Sequence, residues 1–131
     1  TIGGGAFNRC SSLAELTLPA TLTSIGESAF YGCSSLTSLT FPASLVAIDV
    51  YAFSKCSALT DVDFSAVTDA SIGRCAFLGC ERLAKLTLPT ALSRIDEYAF
   101  AHCSALVELT LPTTLTSIGM CAFADCTFAP R

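Results

Sequence analysis

The stretch IGESAFYGCSSLTSLTFP, residues 25–42, recurs along the chain and decides its fold. Isoleucine stands at 2, 25, 48, 72, 95 and 118, phenylalanine at 7, 30, 53, 77, 100 and 123, and cysteine at 10, 33, 56, 80, 103 and 126. Successive copies are separated by 23, 23, 24, 23 and 23 residues. Three residue types held in phase over six copies mark a solenoid, in which each copy is one rung stacked on the last.

One unit reads I-[GD]-x-x-A-F-x-x-C-x-x-L-x-x-L-x-L-P-x-x-L-x-x. Its second half, LTSLTFP at residues 36–42, alternates apolar and polar residues and ends on proline, the pattern of a half-buried strand with its terminator. Leu39 and Phe41 are expected to point inward and Ser38 and Thr40 outward, with equivalents at Leu16/Leu18, Val62/Phe64, Leu86/Leu88 and Leu109/Leu111. Stacked about 4.8 Å apart, these strands make a parallel sheet. In the first half, the position after Ile is Gly or Asp, residues suited to a tight turn through a permissive backbone or a capping carboxylate. The following A-F-x-x-C predicts a single 3₁₀ or α turn that buries Ala29, Phe30 and Cys33. Leu22 to Ile25 predicts a second short extended piece.

This unit resembles the BspA-like, or treponemal-type, leucine-rich repeat of 23 residues, and the resemblance covers essentially the whole chain. It implies a right-handed, α/β-horseshoe-like solenoid. Parallel strands line one face, short strands and 3₁₀ turns the other, with about five full repeats plus partial ends in one domain over residues 1–131. It further implies a bacterial or protist surface or secreted protein, and attachment to host matrix proteins, host cells or other bacteria. The matched residues are core residues, so no catalytic motif comes with them.

Composition narrows the classes. Hydrophobic residues are 52% and charged ones 14%, which excludes a disordered chain, yet no apolar run reaches the ~20 residues of a spanning helix. Seven scattered basic residues and a net charge of −4 argue against nucleic acid. TIGGGAF has neither a basic n-region nor an apolar h-region, so it indicates no compartment; a secreted, periplasmic or cell-surface placement rests on the resemblance, with the cytoplasm as the alternative.

The cysteines read as construction. Metal binding needs convergent Cys and His at short spacing, but the nearest cysteines are five apart (Cys75/Cys80, Cys121/Cys126) and His102 is the one histidine. Neighbouring rungs bring ladder cysteines within disulfide range, but stacked side chains point in parallel, which favours a small buried plug. Cys75 and Cys121 fall outside that phase, two rungs apart and about 10 Å from one another. Each reads either as a packed small residue or as a surface thiol. No cofactor is called for, and no nucleophile–base constellation marks an enzyme.

Two surfaces are candidates for binding. On the sheet face one column runs through Glu15, Ser38, Asp61, Lys85 and Glu108, and a second through Thr17, Thr40, Asp63, Thr87 and Thr110. Threonine also simply suits an exposed pleated surface. The opposite side carries an apolar streak of Tyr51, Cys75, Leu78, Tyr98, Met120 and Cys121, which partial inward packing would equally explain. The third unit, DVDFSAVTDASI, lacks the proline, gains a residue before Ile72, and places Asp61 and Asp63 together with Asp69 nearby. Like-charge repulsion and the extra residue predict an interrupted ladder between the third and fourth strands, with a divalent-cation site as a weaker alternative. Neither end shows a cap, which suggests a piece of a longer protein or end-to-end association. Two functions follow: a protein-binding module acting through the sheet face, or a carrier or sensor of a small hydrophobic ligand in an apolar groove near the third unit or at the Tyr51–Tyr98 streak.

Overall fold

Alternating apolar residues followed by a turn give the second, third and fourth rungs two short strands each rather than one long one. The computed structural model describes residues 1–127. Its strands, in chain order, are β1 (Ser24–Ile25), β2 (Ser38–Thr40), β3 (Ala47–Ile48), β4 (Asp61–Asp63), β5 (Ser71–Ile72), β6 (Lys85–Thr87), β7 (Arg94–Ile95) and β8 (Ser117–Ile118). Among the described residues there is no helix. The order β2-β4-β6 forms one parallel sheet and β1-β3-β5 a second, while β7 pairs with β8. Leu39, Val62 and Leu86 lie side by side, as do Ile25, Ile48 and Ile72, so columns of the sequence become columns of the core. Leu39 and Phe41 are buried and Ser38 and Thr40 exposed, as the alternation predicts.

The segment between the strands departs from the expected helical turn. Ala29, Tyr31 and Cys33 donate N–H bonds three residues back, to Gly26, Ser28 and Phe30, while Ser28, Phe30 and Gly32 donate to Val50, Ala52 and Ser54 of the next rung. A helix would keep every N–H for itself. Here left-handed residues four apart, such as Ser28 (φ 55°) and Gly32 (φ 71°), turn alternate peptides outward, and Tyr51, Cys75, Tyr98 and Cys121 share the first of these positions. Each carries the cost of a side chain in that region, of order 1 kcal/mol, offset by the inter-rung bonds.

Phe7, Phe30, Phe53, Phe77, Phe100 and Phe123 stack face to face, with ring centroids 5.0–5.6 Å apart. Phe41 and Phe64 stack on each other at 4.4 Å and meet Phe53 and Phe77 edge-on. Beside the stack the ladder cysteines do more than fill space. The thiols of Cys33, Cys56, Cys80, Cys103 and Cys126 donate to the carbonyls of Phe7, Phe30, Phe53, Phe77 and Phe100 in the preceding rung, at 3.2–3.4 Å. Of these carbonyls, those of Phe7, Phe30 and Phe77 also accept the N–H of the cysteine three residues on, Cys10, Cys33 and Cys80. A thiol is therefore both the apolar plug and the second donor to a buried carbonyl, which alanine or valine would not supply.

Burial pushes the Cys56 thiol up to about 12, and raises Cys33 as well. At pH 8, alkylation of the native protein with iodoacetamide should therefore label exposed Cys10 and Cys121 and spare Cys56 until it unfolds. Peptide mass spectrometry reads this directly, and equal labelling rates at Cys56 and Cys121 would contradict the buried ladder.

Glycine after the isoleucine is needed for space rather than for backbone angle. A Cβ on Gly26 would lie 2.5 Å from Gly4 N, and one on Gly119 2.5 Å from Glu97 N, both backbone atoms of the preceding rung. Between them Asp49 and Asp96 each accept the N–H of the next residue, at 2.7 and 2.9 Å.

The third unit is irregular, but not where repulsion and insertion predict. Leu22, Leu45, Leu92 and Leu115 bond back to the carbonyl of the proline three residues earlier, whereas Val67 bonds to Phe64. The turn after β4 is thus one residue shorter, and the chain regains two between Val67 and Ile72. β4 and β6 pair in full register, Asp61 beside Lys85 and Asp63 beside Thr87, so the expected interruption between the third and fourth strands is not found. Lys85 supplies the opposite charge, and the Ser65 N–H caps the Asp63 carboxylate at 2.8 Å. The break in the ladder lies instead between β5 and β7, which are neighbours but form no ladder.

Candidate functional site

The outward side chains of β2, β4 and β6 form two rows, Ser38–Asp61–Lys85 and Thr40–Asp63–Thr87, aligned by the parallel register. The hydrogen bond from the Ser65 backbone, aided by Lys85, holds the Asp63 carboxyl below the usual range, so it is ionised at neutral pH. This face is a rigid platform carrying hydroxyls, two carboxylates and one ammonium over a filled apolar core. Glu15, Thr17, Glu108 and Thr110 are exposed at the ends of the same columns but lie outside the sheet, because residues 15–17 and 108–110 form no ladder with it.

The opposite side is less apolar than its column suggests. Cys75 is buried; Tyr51, Leu78 and Tyr98 are half-buried; Cys121 and Met120 are exposed. The Cys75 thiol lies within hydrogen-bonding reach of the Tyr51 phenol and raises it, and Cys121 does the same for Tyr98. Arg74 lies over the Tyr51 ring at 5.8 Å, Tyr31 meets Tyr51 edge-on at 6.4 Å, and Arg9 covers Tyr31 at 5.5 Å. Reading down one column misses Arg9, Tyr31 and Arg74, since these contacts cross between columns of neighbouring rungs.

The cleft beside the third unit, ≈ 420 Å3, is lined by Val46, Asp69, Ala70, Ser71, Ile72, Ser93, Arg94 and Asp96. Charged and hydroxyl groups dominate it, which corrects the expectation of an apolar groove there. Across it the Ser93 hydroxyl donates to the Asp69 carboxylate, 3.2 Å. Among the described residues no three His, Cys, Asp or Glu side chains converge as a metal set, so Asp61, Asp63 and Asp69 are not brought together. His102 has its Nδ1 2.6 Å from Asp125, and both side chains are exposed.

Comparison with known proteins agrees with this architecture. The family described as "BspA type Leucine rich repeat region" matches residues 1–129 in 6 copies. A leucine-rich repeat protein from Eubacterium ventriosum is 36% identical with a TM-score of 0.85, over 97% of this chain and 34% of that one. A leucine rich cell surface protein from Faecalibacterium prausnitzii is 32% identical with a TM-score of 0.83, over 98% of this chain and 35% of that one. The T. pallidum leucine-rich repeat protein is 30% identical with a TM-score of 0.68, over 96% of this chain and 69% of that one. The chain thus spans about a third of the length of the first two. No curated protein matches it. Among the described residues no helix is long and apolar enough to cross a membrane. The repeat unit, the stacked parallel strands and these matches agree: the chain belongs to the BspA-type leucine-rich repeat family.

Proposed function

We propose that the chain is a protein-binding segment of a bacterial cell-surface, secreted or periplasmic protein, engaging a host matrix or cell-surface protein through its sheet face. The observation that carries this reading is the register of β2, β4 and β6, which sets Asp61, Asp63 and Lys85 on one rigid exposed surface. Membership of the repeat family supports it, as does the likeness to a protein described as a cell surface protein. Solenoids use such extended faces for partners because neighbouring rungs hold the outward side chains in place. The small-ligand reading has less support, since the cleft near the third unit is polar.

The test is binding to an immobilised basement-membrane extract. Saturable binding is expected, and the double variant Asp61→Ala/Lys85→Ala should weaken it about tenfold, the loss of a modest interface contact pair. Unfolding measurements should show the variant still folded, because both side chains lie on the outward face. No saturable binding, or binding indifferent to this pair, would overturn the proposal.

A further inference from the structure

β6 is paired on one side only. Its other edge faces residues 108–110, which form no ladder with it. One rung earlier the Phe64 N–H donates to the Thr87 carbonyl and the Ala84 N–H to the Thr60 carbonyl. The equivalent bonds here, Leu88 N–H to Thr110 and Val107 N–H to Ala84, are not made among the described residues. Between the two edges lies a cleft of ≈ 480 Å3, with Lys85 and Thr87 on one lip and Glu108 and Thr110 on the other. Leu86, Leu88 and Leu109 form its floor and are 8%, 7% and 5% exposed, against 2%, 1%, 0% and 0% for Leu39, Phe41, Val62 and Phe64. The core is therefore slightly less well covered at the same place where backbone groups lack partners.

A ligand for this cleft must satisfy unpaired N–H and carbonyl groups and also cover an apolar strip. A small hydrocarbon covers the leucines and leaves the amides unpaired; water does the reverse. An extended polypeptide does both, offering backbone groups at strand spacing and a side chain inward at every second residue. We propose that this cleft is a strand-addition site that takes an extended peptide segment, parallel to β6, with apolar residues at alternate inward positions. Lys85 and Glu108 on opposite lips offset each other, so a segment without net charge suits it. This deepens, and rests on, the reading of the sheet face as a protein-binding surface.

The probe is a synthetic peptide carrying residues 36–41, LTSLTF, the uncharged segment that includes β2 and pairs in parallel with β4. Hydrogen exchange followed by NMR should show the amides of Leu88 and residues 107–111 exchanging faster than those of residues 61–64 in the free protein. Saturating peptide should slow the former set by about tenfold or more, and the same peptide N-methylated at alternate residues should not. The proposal is overturned if those amides are already protected in the free protein, if the peptide leaves them unprotected, or if the N-methylated peptide protects equally well. Peptide protection is read on the wild-type chain at the cleft amides and matrix binding on the immobilised extract, so failure of the matrix-protein assay alone leaves a separate signature.

Discussion

Phe53→Ala should lower stability by about 3–5 kcal/mol, the usual range for emptying a buried phenylalanine site. Phe53 is fully buried, stacks on Phe30 at 5.0 Å and Phe77 at 5.3 Å, and takes the edge of Phe41. A hole at this position cannot be filled by sideways collapse, because the rings above and below belong to rungs held apart by backbone bonds from Phe30 to Ala52 and from Phe53 to Ala76. In a quasi-one-dimensional fold the lost contacts fall on both neighbouring interfaces at once. Denaturant unfolding measures the loss, and Phe53→Leu, which keeps more of the volume, should lose less. A change under about 1 kcal/mol for the alanine variant would show that the ring stack is not the main bond between rungs.

Gly73→Ala should have the second largest effect, about 1–3 kcal/mol or more, the usual cost of forcing a methyl into a packed interior. A Cβ there would stand 2.9 Å from Asp49 C, 3.0 Å from Ile48 O and 3.0 Å from Val50 N. All three are backbone atoms, so relief requires the rungs to move apart and the 2.8 Å bond from Gly73 N–H to Ile48 to lengthen. Gly3→Ala is the control, because a Cβ at Gly3 meets nothing within 4 Å. Similar thermal unfolding midpoints for the two variants would sink this steric account.

The residues that made the fold legible are those that must be the same in every rung. Ile, Phe, Cys and Leu recur because each touches its own counterpart above and below, so a column tolerates little variety. The left-handed positions were hidden for the opposite reason. Their side chains stand at the rim of the turn, and Arg9, Ser28, Tyr51, Lys55, Cys75, Tyr98 and His102 all occupy them with positive φ. The thiol bonds of the cysteine column were likewise invisible, since size alone accounts for the residue choice until the orientation of the phenylalanine carbonyl is known. On the sheet face, the alternation placed Ser38, Asp61 and Lys85 outward correctly. It carried no sign of where the ladder ends, because Glu15–Leu18 and Glu108–Leu111 have the same pattern as the strands that do pair. The third unit was visibly irregular, but a turn shortened by one residue and a later gain of two appear in the sequence only as one extra residue.

The glycine and aspartate positions after the isoleucines carry a consequence for how such a chain can lengthen. From Gly26 onward they alternate as Gly26, Asp49, Gly73, Asp96 and Gly119. Tyr51, Cys75, Tyr98 and Cys121 alternate in step, and Gly32 and Gly79 alternate with Lys55 and His102. The unit of inheritance in this stretch is thus a pair of rungs. Duplicating a single rung would set aspartate against aspartate or glycine against glycine and break the alternation in all three columns at one junction. Duplicating two at a time leaves every junction as it was, so gene-level growth or engineered extension of this solenoid should proceed by even numbers of repeats.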